Sequence, residues 1–163
     1  DSVFQFITFR LYDSVPQHVI ERWKTELSII MKNHDKNSEE YQELQRKIFK
    51  YEDQGLGNCY LKIPEIYQIV ESTFLKFNNV KYELISWVIM PNHVHLLIRQ
   101  LNGYSIGEIV QSWKVYTAKM ANKILKRNGK FWMNDYYDRY IRNEAHYYRV
   151  IDYIYNNNKK RER

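Results

Sequence analysis

The chain carries one cysteine, Cys59, in 163 residues. An intramolecular disulfide and any cysteine-based zinc cluster are thereby excluded, and a reducing compartment is the simplest setting. Prolines number three. Pro16 and Pro64 stand where helices would begin and Pro91 where a strand would end, so none interrupts an element. Two of the five glycines fall in Gln54-Gly55-Leu56-Gly57-Asn58. That stretch reads as a turn, and without a strand before it and a helix after it no phosphate-binding loop is drawn from it. Long apolar runs are missing as well: nothing approaches the roughly 18 residues of a membrane span. The start, Asp1-Ser2-Val3-Phe4, lacks the basic-then-apolar order of a signal peptide, and the absence of an initiator Met leads us to expect a trimmed end. Repeats, linkers and low-complexity segments are lacking too, so one domain is expected over residues 1–163, with a helical insertion at about 32–60.

What is present is ordinary in bulk and uneven in charge. Hydrophobic residues make up 44% and charged residues 27%, enough of the first for a sizeable core. The net charge is +6, and residues 103–163 hold 13 Lys and Arg against 6 Asp and Glu, which leaves the preceding part close to neutral. Such a bias favours a polyanionic partner, because neutralising phosphates releases condensed counterions.

Phe4 to Tyr12 alternates apolar and other residues and predicts a first strand. Val19, Ile20, Trp23, Leu27, Ile30 and Met31 recur at helical spacing after Pro16. A polar connection around His34 leads to a second, more polar helix opened by Ser38, a pair that would project as a hairpin. Pro64 opens a helix with Ile66, Ile69, Val70, Thr73, Phe74 and Phe77, ended by Asn78-Asn79. Tyr82 to Met90 and His93 to Gln100 read as two strands joined by the Pro91-Asn92 corner, and Asn102-Gly103 breaks the sheet. Ser105 with Glu108 forms a capping-box pattern before a long helix whose buried stripe runs from Ile106 to Ile124. Phe131 to Arg142 suggests an edge strand, and Glu144 to about Lys160 a last helix, with a frayed basic tail beyond it. Tight antiparallel pairing among these strands gives an α+β class, with helices on one face of a central antiparallel sheet.

Two imidazoles stand one residue apart in Trp87-Val88-Ile89-Met90-Pro91-Asn92-His93-Val94-His95-Leu96-Leu97-Ile98. In a strand His93, His95 and Leu97 share one face while Val94, Leu96 and Ile98 take the other. The first face offers two ring nitrogens to a divalent metal; the plain alternative is a pair of histidines on a solvated sheet face. On the last helix Tyr153 and Asn157, four apart, share one side. Lys119, Lys123, Lys126 and Arg127 give the long helix a basic flank, and Arg139 and Arg142 stand among aromatics, a mixture that stacks bases and holds phosphates. Both groups are candidate DNA contacts, and both have an ordinary reading as solvated or edge-strand residues. His18 and His146, outside the strand pair, read as surface groups.

Pro91-Asn92-His93-Val94-His95-Leu96-Leu97, the run from Phe131-Trp132 through Tyr137-Asp138 to Ile141-Arg142, and Asp152-Tyr153-Ile154-Tyr155-Asn156-Asn157 together resemble one family. It is that of the HUH single-tyrosine transposases of the insertion-sequence-200 type, in the branch of REP-associated tyrosine transposases. Phe6-Ile7-Thr8-Phe9-Arg10-Leu11 and Asp53-Gln54-Gly55-Leu56-Gly57 look like that branch as well. The resemblance implies a ferredoxin-like fold that binds DNA hairpins and cuts or joins single strands beside them, in the cytoplasm of a bacterial cell, near the nucleoid. By position His93 and His95 match the motif's histidines, Tyr153 the nucleophile and Asn157 the third ligand; Tyr155 is the second choice for the nucleophile. The family continues past this helix with an Asn-Pro, whereas here Asn156-Asn157-Asn158-Lys159 runs to the end, and a shortened C-terminus is expected.

Two imidazoles and an amide oxygen form a neutral ligand set, which would leave Mg²⁺ or Mn²⁺ its full charge. The leading expectation is a metal-dependent DNA strand transferase passing through a 5′-phosphotyrosine. The alternatives are a non-catalytic DNA-hairpin-binding protein of the same fold and a structural metal-binding domain. Monomer and homodimer are both open.

Overall fold

The computed structural model describes residues 3–101 and 103–162. Asp1 and Ser2 of the expected start, Asn102 of the expected sheet break and Arg163 of the tail lie outside the described residues. The order is β1 (Phe4–Arg10), α1 (Gln17–Asn33), α2 (Glu39–Glu52), a short 3₁₀ turn, α3 (Pro64–Lys76), β2 (Tyr82–Ile89), β3 (His93–Gln100), α4 (Ile106–Leu125), β4 (Tyr137–Tyr140) and α5 (Glu144–Glu162). The strands form one antiparallel sheet in the order β2-β3-β1-β4. This is the α+β, ferredoxin-like arrangement expected from the sequence. β1 and β3 are its central pair, with Thr8 opposite His95 and Arg10 opposite His93.

Alternation in β1 and β3 divides the core in two. Ile7, Phe9, Val94, Leu96 and Ile98 face α3 and α4, where Ile66, Val70, Phe74, Ile109, Val110 and Trp113 cover them. Phe6, Val88 and Leu97 face the other way and are covered by Val150 and Ile154 of α5. Helices therefore pack on both faces, which corrects the expectation of helices on one face. The second face looked polar because it carries Thr8, His93 and His95, yet its flanking Phe6, Val88 and Leu97 leave enough apolar surface to require a lid.

Helix ends follow local chemistry. The Ser105 hydroxyl accepts from the Glu108 N–H while the Glu108 carboxylate accepts from the Ser105 N–H, the reciprocal box that begins α4. Ser38 caps α2 by accepting from the Tyr41 N–H. Asn143 precedes α5, and its Oδ1 accepts from the His146 N–H. It runs to Glu162, so Lys159 to Glu162 are helical and not frayed: Lys160 reaches Asp53 and Arg161 lies over the Tyr67 ring.

α1 and α2 share an apolar cluster of their own, built on Val19, Ile20, Trp23 and Leu44. The far end of α1 leaves Ile29 and Met31 exposed. The near end of α2 turns inward and sets Phe49, Glu52 and Asp53 against the histidine face. No helix among the described residues is long and apolar enough to cross a membrane.

Candidate active site

His93 and His95 are fully buried under α5 and the end of α2, with ring centroids 4.8 Å apart. Each imidazole is held by its Nδ1. For His93 the partner is Asn92 Oδ1 at 2.7 Å. Asn92 in turn donates from Nδ2 to the Leu56 carbonyl, which fixes its amide so that His93 Nδ1 must be the donor. The lone pair of His93 is therefore on Nε2, which is buried without a hydrogen-bond partner. His95 Nδ1 lies 2.6 Å from Thr8 Oγ1. The His95 ring is boxed by Phe6, Phe49 and Tyr153. Burial holds both imidazoles neutral: His93 is pushed down to about 3, with the Arg10 charge assisting, and His95 lies well below the usual histidine range.

The Tyr153 hydroxyl sits 3.5 Å from His95 Nε2. Its phenol is raised above the ordinary tyrosine range, first by burial and then by the charge of Asp53; the Asn157 amide opposes this and Glu52 adds to it. Asn157, one turn on, is buried. Its Nδ2 donates to the Tyr153 carbonyl, and its Oδ1 has no hydrogen-bond partner. Tyr155, the second choice, is exposed and turned away, with Lys159 over its ring.

These features fit a divalent cation. Two buried oxygen or nitrogen lone pairs, Asn157 Oδ1 and His93 Nε2, lack any donor, and burying such acceptors unsatisfied is costly. Among the described residues no group of three or more His, Cys, Asp or Glu side chains is disposed to hold a metal. A cation there would need a donor of another kind beside the imidazoles, and the Asn157 amide, with its buried unpartnered Oδ1, is the third ligand the sequence resemblance implies.

Sequence reasoning missed the supporting shell. Asp53 Oδ1 lies 3.6 Å from His93 Nε2 and its Oδ2 lies 3.7 Å from Lys160 Nζ. The surroundings of the histidines are therefore not neutral. Glu52, buried and raised to about 7 by desolvation, is paired with Arg10 at 3.3 Å. The available signal was the Asp53-Gln54-Gly55-Leu56-Gly57 run. Its turn presents the Leu56 carbonyl that orients Asn92 and thus His93.

The candidate DNA contacts divide between the faces. Lys119, Lys123, Lys126 and Arg127 line one shallow basic surface at the end of α4, with the sheet between them and Tyr153. Arg139 is on the Tyr153 side, opposite Phe6 on β1, with its Nη1 donating to Gln42. Arg142 is exposed just before α5. His146, expected at the surface, is buried: its Nδ1 accepts from the Arg142 N–H, and burial together with Arg139, Arg149 and Arg142 lowers it to about 4.

The ferredoxin-like sheet thus sets a His-x-His strand under a tyrosine-bearing helix. The chain belongs to the family described as "Transposase IS200 like", whose model matches residues 62–157. β1, α1 and α2, and with them Thr8, Phe49 and Asp53, precede the matched stretch. Among solved structures the chain resembles a REP-associated tyrosine transposase bound to a REP hairpin, at 17% identity and a TM-score of 0.54, over 97% of this chain and 67% of that one. It also matches a Deinococcus radiodurans R1 protein solved as a transposase candidate, at 13% identity and a TM-score of 0.41, over 96% and 92%. No curated protein matches.

Proposed function

We propose that the chain cleaves and rejoins single-stranded DNA beside a hairpin, with Tyr153 as nucleophile. The observation that carries this is the Tyr153 hydroxyl at 3.5 Å from His95 Nε2, on the same buried face as His93. The phenolic oxygen forms a bond to phosphorus as the bond from phosphorus to the 3′ oxygen breaks. The phenolic proton leaves to water, and the 3′ oxygen takes one up. A 5′-phosphotyrosine and a 3′-hydroxyl result, and the reverse attack rejoins the strand without a nucleotide cofactor.

His93, His95 and Asn157 would hold Mg²⁺ or Mn²⁺, which when bound supplies positive charge to the phosphate and to a phenol that burial keeps protonated. Thr8 and Asn92 keep the imidazole lone pairs aimed. Phe6 and Phe49 fix the Tyr153 ring. A DNA hairpin is taken as the partner because the family is a transposase family and a structure sharing the fold was solved with a REP hairpin. A reaction on hairpin DNA would run with the chromosome, in the cytoplasm.

The test is covalent capture. Incubated with a labelled hairpin carrying a single-stranded flank and Mn²⁺, the protein is expected to yield a denaturation-resistant adduct that is absent with EDTA and absent in Tyr153→Phe. Hairpin binding without an adduct under Mg²⁺ or Mn²⁺ would leave the non-catalytic hairpin-binding reading.

A further inference from the structure

Beside Tyr153 a cavity of about 270 Å³ opens between α2, β4 and α5. One wall is aromatic: Phe49 and Tyr137 meet edge to face at 5.2 Å, and Phe49 reaches the Tyr153 ring at 6.1 Å. Arg46, Arg139 and Arg149 ring the rest, and no carboxylate is among its lining residues. Arg46 is tied to Glu39 at 2.6 Å. Arg139 has its Nη1 on Gln42, while its Nε is buried with no acceptor. Arg149 is exposed.

We propose that this cavity holds a single unpaired nucleotide next to the scissile phosphate, its base against Phe49 and Tyr137 and its own phosphate on Arg139 and Arg149. The inference rests on the strand-cleavage reading and deepens it. A guanidinium with a buried unpaired N–H is a poor neighbour for anything but an anion. An aromatic wall accepts any base by its π-face. The volume, just under the roughly 300 Å³ at which ligand sites begin, suits a single nucleotide. His146, in the same wall, is lowered first by burial and then by the charges of Arg139, Arg149 and Arg142. The phenol in the cavity wall makes the bound nucleotide a neighbour of the attacked phosphorus.

The test uses hairpins whose flanking nucleotides are made abasic one at a time, and a second set in which single phosphates are replaced by neutral methylphosphonates. Dissociation constants are read by fluorescence anisotropy for the wild-type chain and for Arg149→Gln, an exposed position that leaves the core untouched. One abasic position is expected to weaken wild-type binding by about tenfold or more, the scale of one lost base-to-aromatic stack. One methylphosphonate is expected to weaken the wild type several-fold and to cost clearly less in Arg149→Gln, where one of the two guanidinium partners is gone. Arg139→Gln should reproduce that loss of sensitivity. Abasic effects below about twofold at every flank position, or an equal methylphosphonate penalty in wild type and Arg149→Gln, would overturn the assignment. Because binding is read without cleavage, the outcome is separate from that of the adduct assay: a missing adduct with the nucleotide pattern intact sinks only the enzymatic reading.

Discussion

At the scale of the residue the site depends on how the imidazoles are held. Asn92 satisfies the Leu56 carbonyl and His93 Nδ1–H together, so Asn92→Ala strands the Nδ1–H of the fully buried His93. That loss is worth about 1–3 kcal/mol, and loss of an orienting partner lowers metal affinity about 10–100-fold. Chemical denaturation and Mn²⁺ titration of the variant should show both effects; native Mn²⁺ affinity in Asn92→Ala would mean that the brace does not aim His93. His146 gives a pH signature. Its folded value near 4 is below the histidine value of 6.5, so it contributes stability that is present above about pH 6.5 and lost as pH falls through about 4. His146→Gln is expected to flatten the acid side of the stability profile by at most about 1.4 kcal/mol per pH unit, the slope of one proton. An identical profile in the variant would count against this. The His-x-His face and the spacing of Tyr153 and Asn157 were legible because alternation and helical period are local. Asp53, 40 residues before His93 in the chain, was not, since only the packing of α2 onto the sheet brings it near.

At the scale of the element, α5 is both the cover over the histidine face and the carrier of Tyr153. Its amphipathic stripe was readable, but which sheet face it would cover was not, because two histidines and a threonine masked the apolar rim formed by Phe6, Val88 and Leu97. Ile154, fully buried beside Tyr153, anchors the helix. Ile154→Ala should cost about 2–5 kcal/mol through lost burial and the cavity left behind. The sharper expectation is kinetic: where the variant is still folded, adduct formation should fall more than hairpin affinity does, since a shifted helix misplaces the phenol before it disturbs the basic surfaces. Equal losses in rate and affinity would show that α5 seats DNA rather than the nucleophile. The α1 and α2 helices were legible as a pair, but the apolar stripe described only their mutual packing. That α2 ends by walling the site with Phe49 depends on tertiary contact alone.

At the scale of the whole molecule, the excess positive charge of the C-terminal part is divided by the sheet. Arg139 and Arg149, with Arg46 of α2, are on the side of Tyr153, whereas Lys119, Lys123, Lys126 and Arg127 are behind it on α4. Composition predicted the excess but not this division, because sequence position does not report which face a helix covers. A hairpin has two kinds of backbone to match it, a duplex stem and an unpaired flank. The arginine side, with its single-nucleotide cavity, suits the flank, so a stem gripped by α4 must pass around a sheet edge. Each duplex phosphate neutralised contributes about −0.9 to the slope of log affinity against log salt. Replacing Lys119, Lys123 and Lys126 together by Gln is therefore expected to make that slope shallower by up to roughly 3 on a stem-containing hairpin. The same variant should bind the isolated single-stranded flank with the wild-type salt slope, because no stem is there for α4 to touch. An unchanged slope on the hairpin would return the α4 flank to solvated surface, and an equal change on both substrates would mean that the flank strand, not the stem, runs behind the sheet.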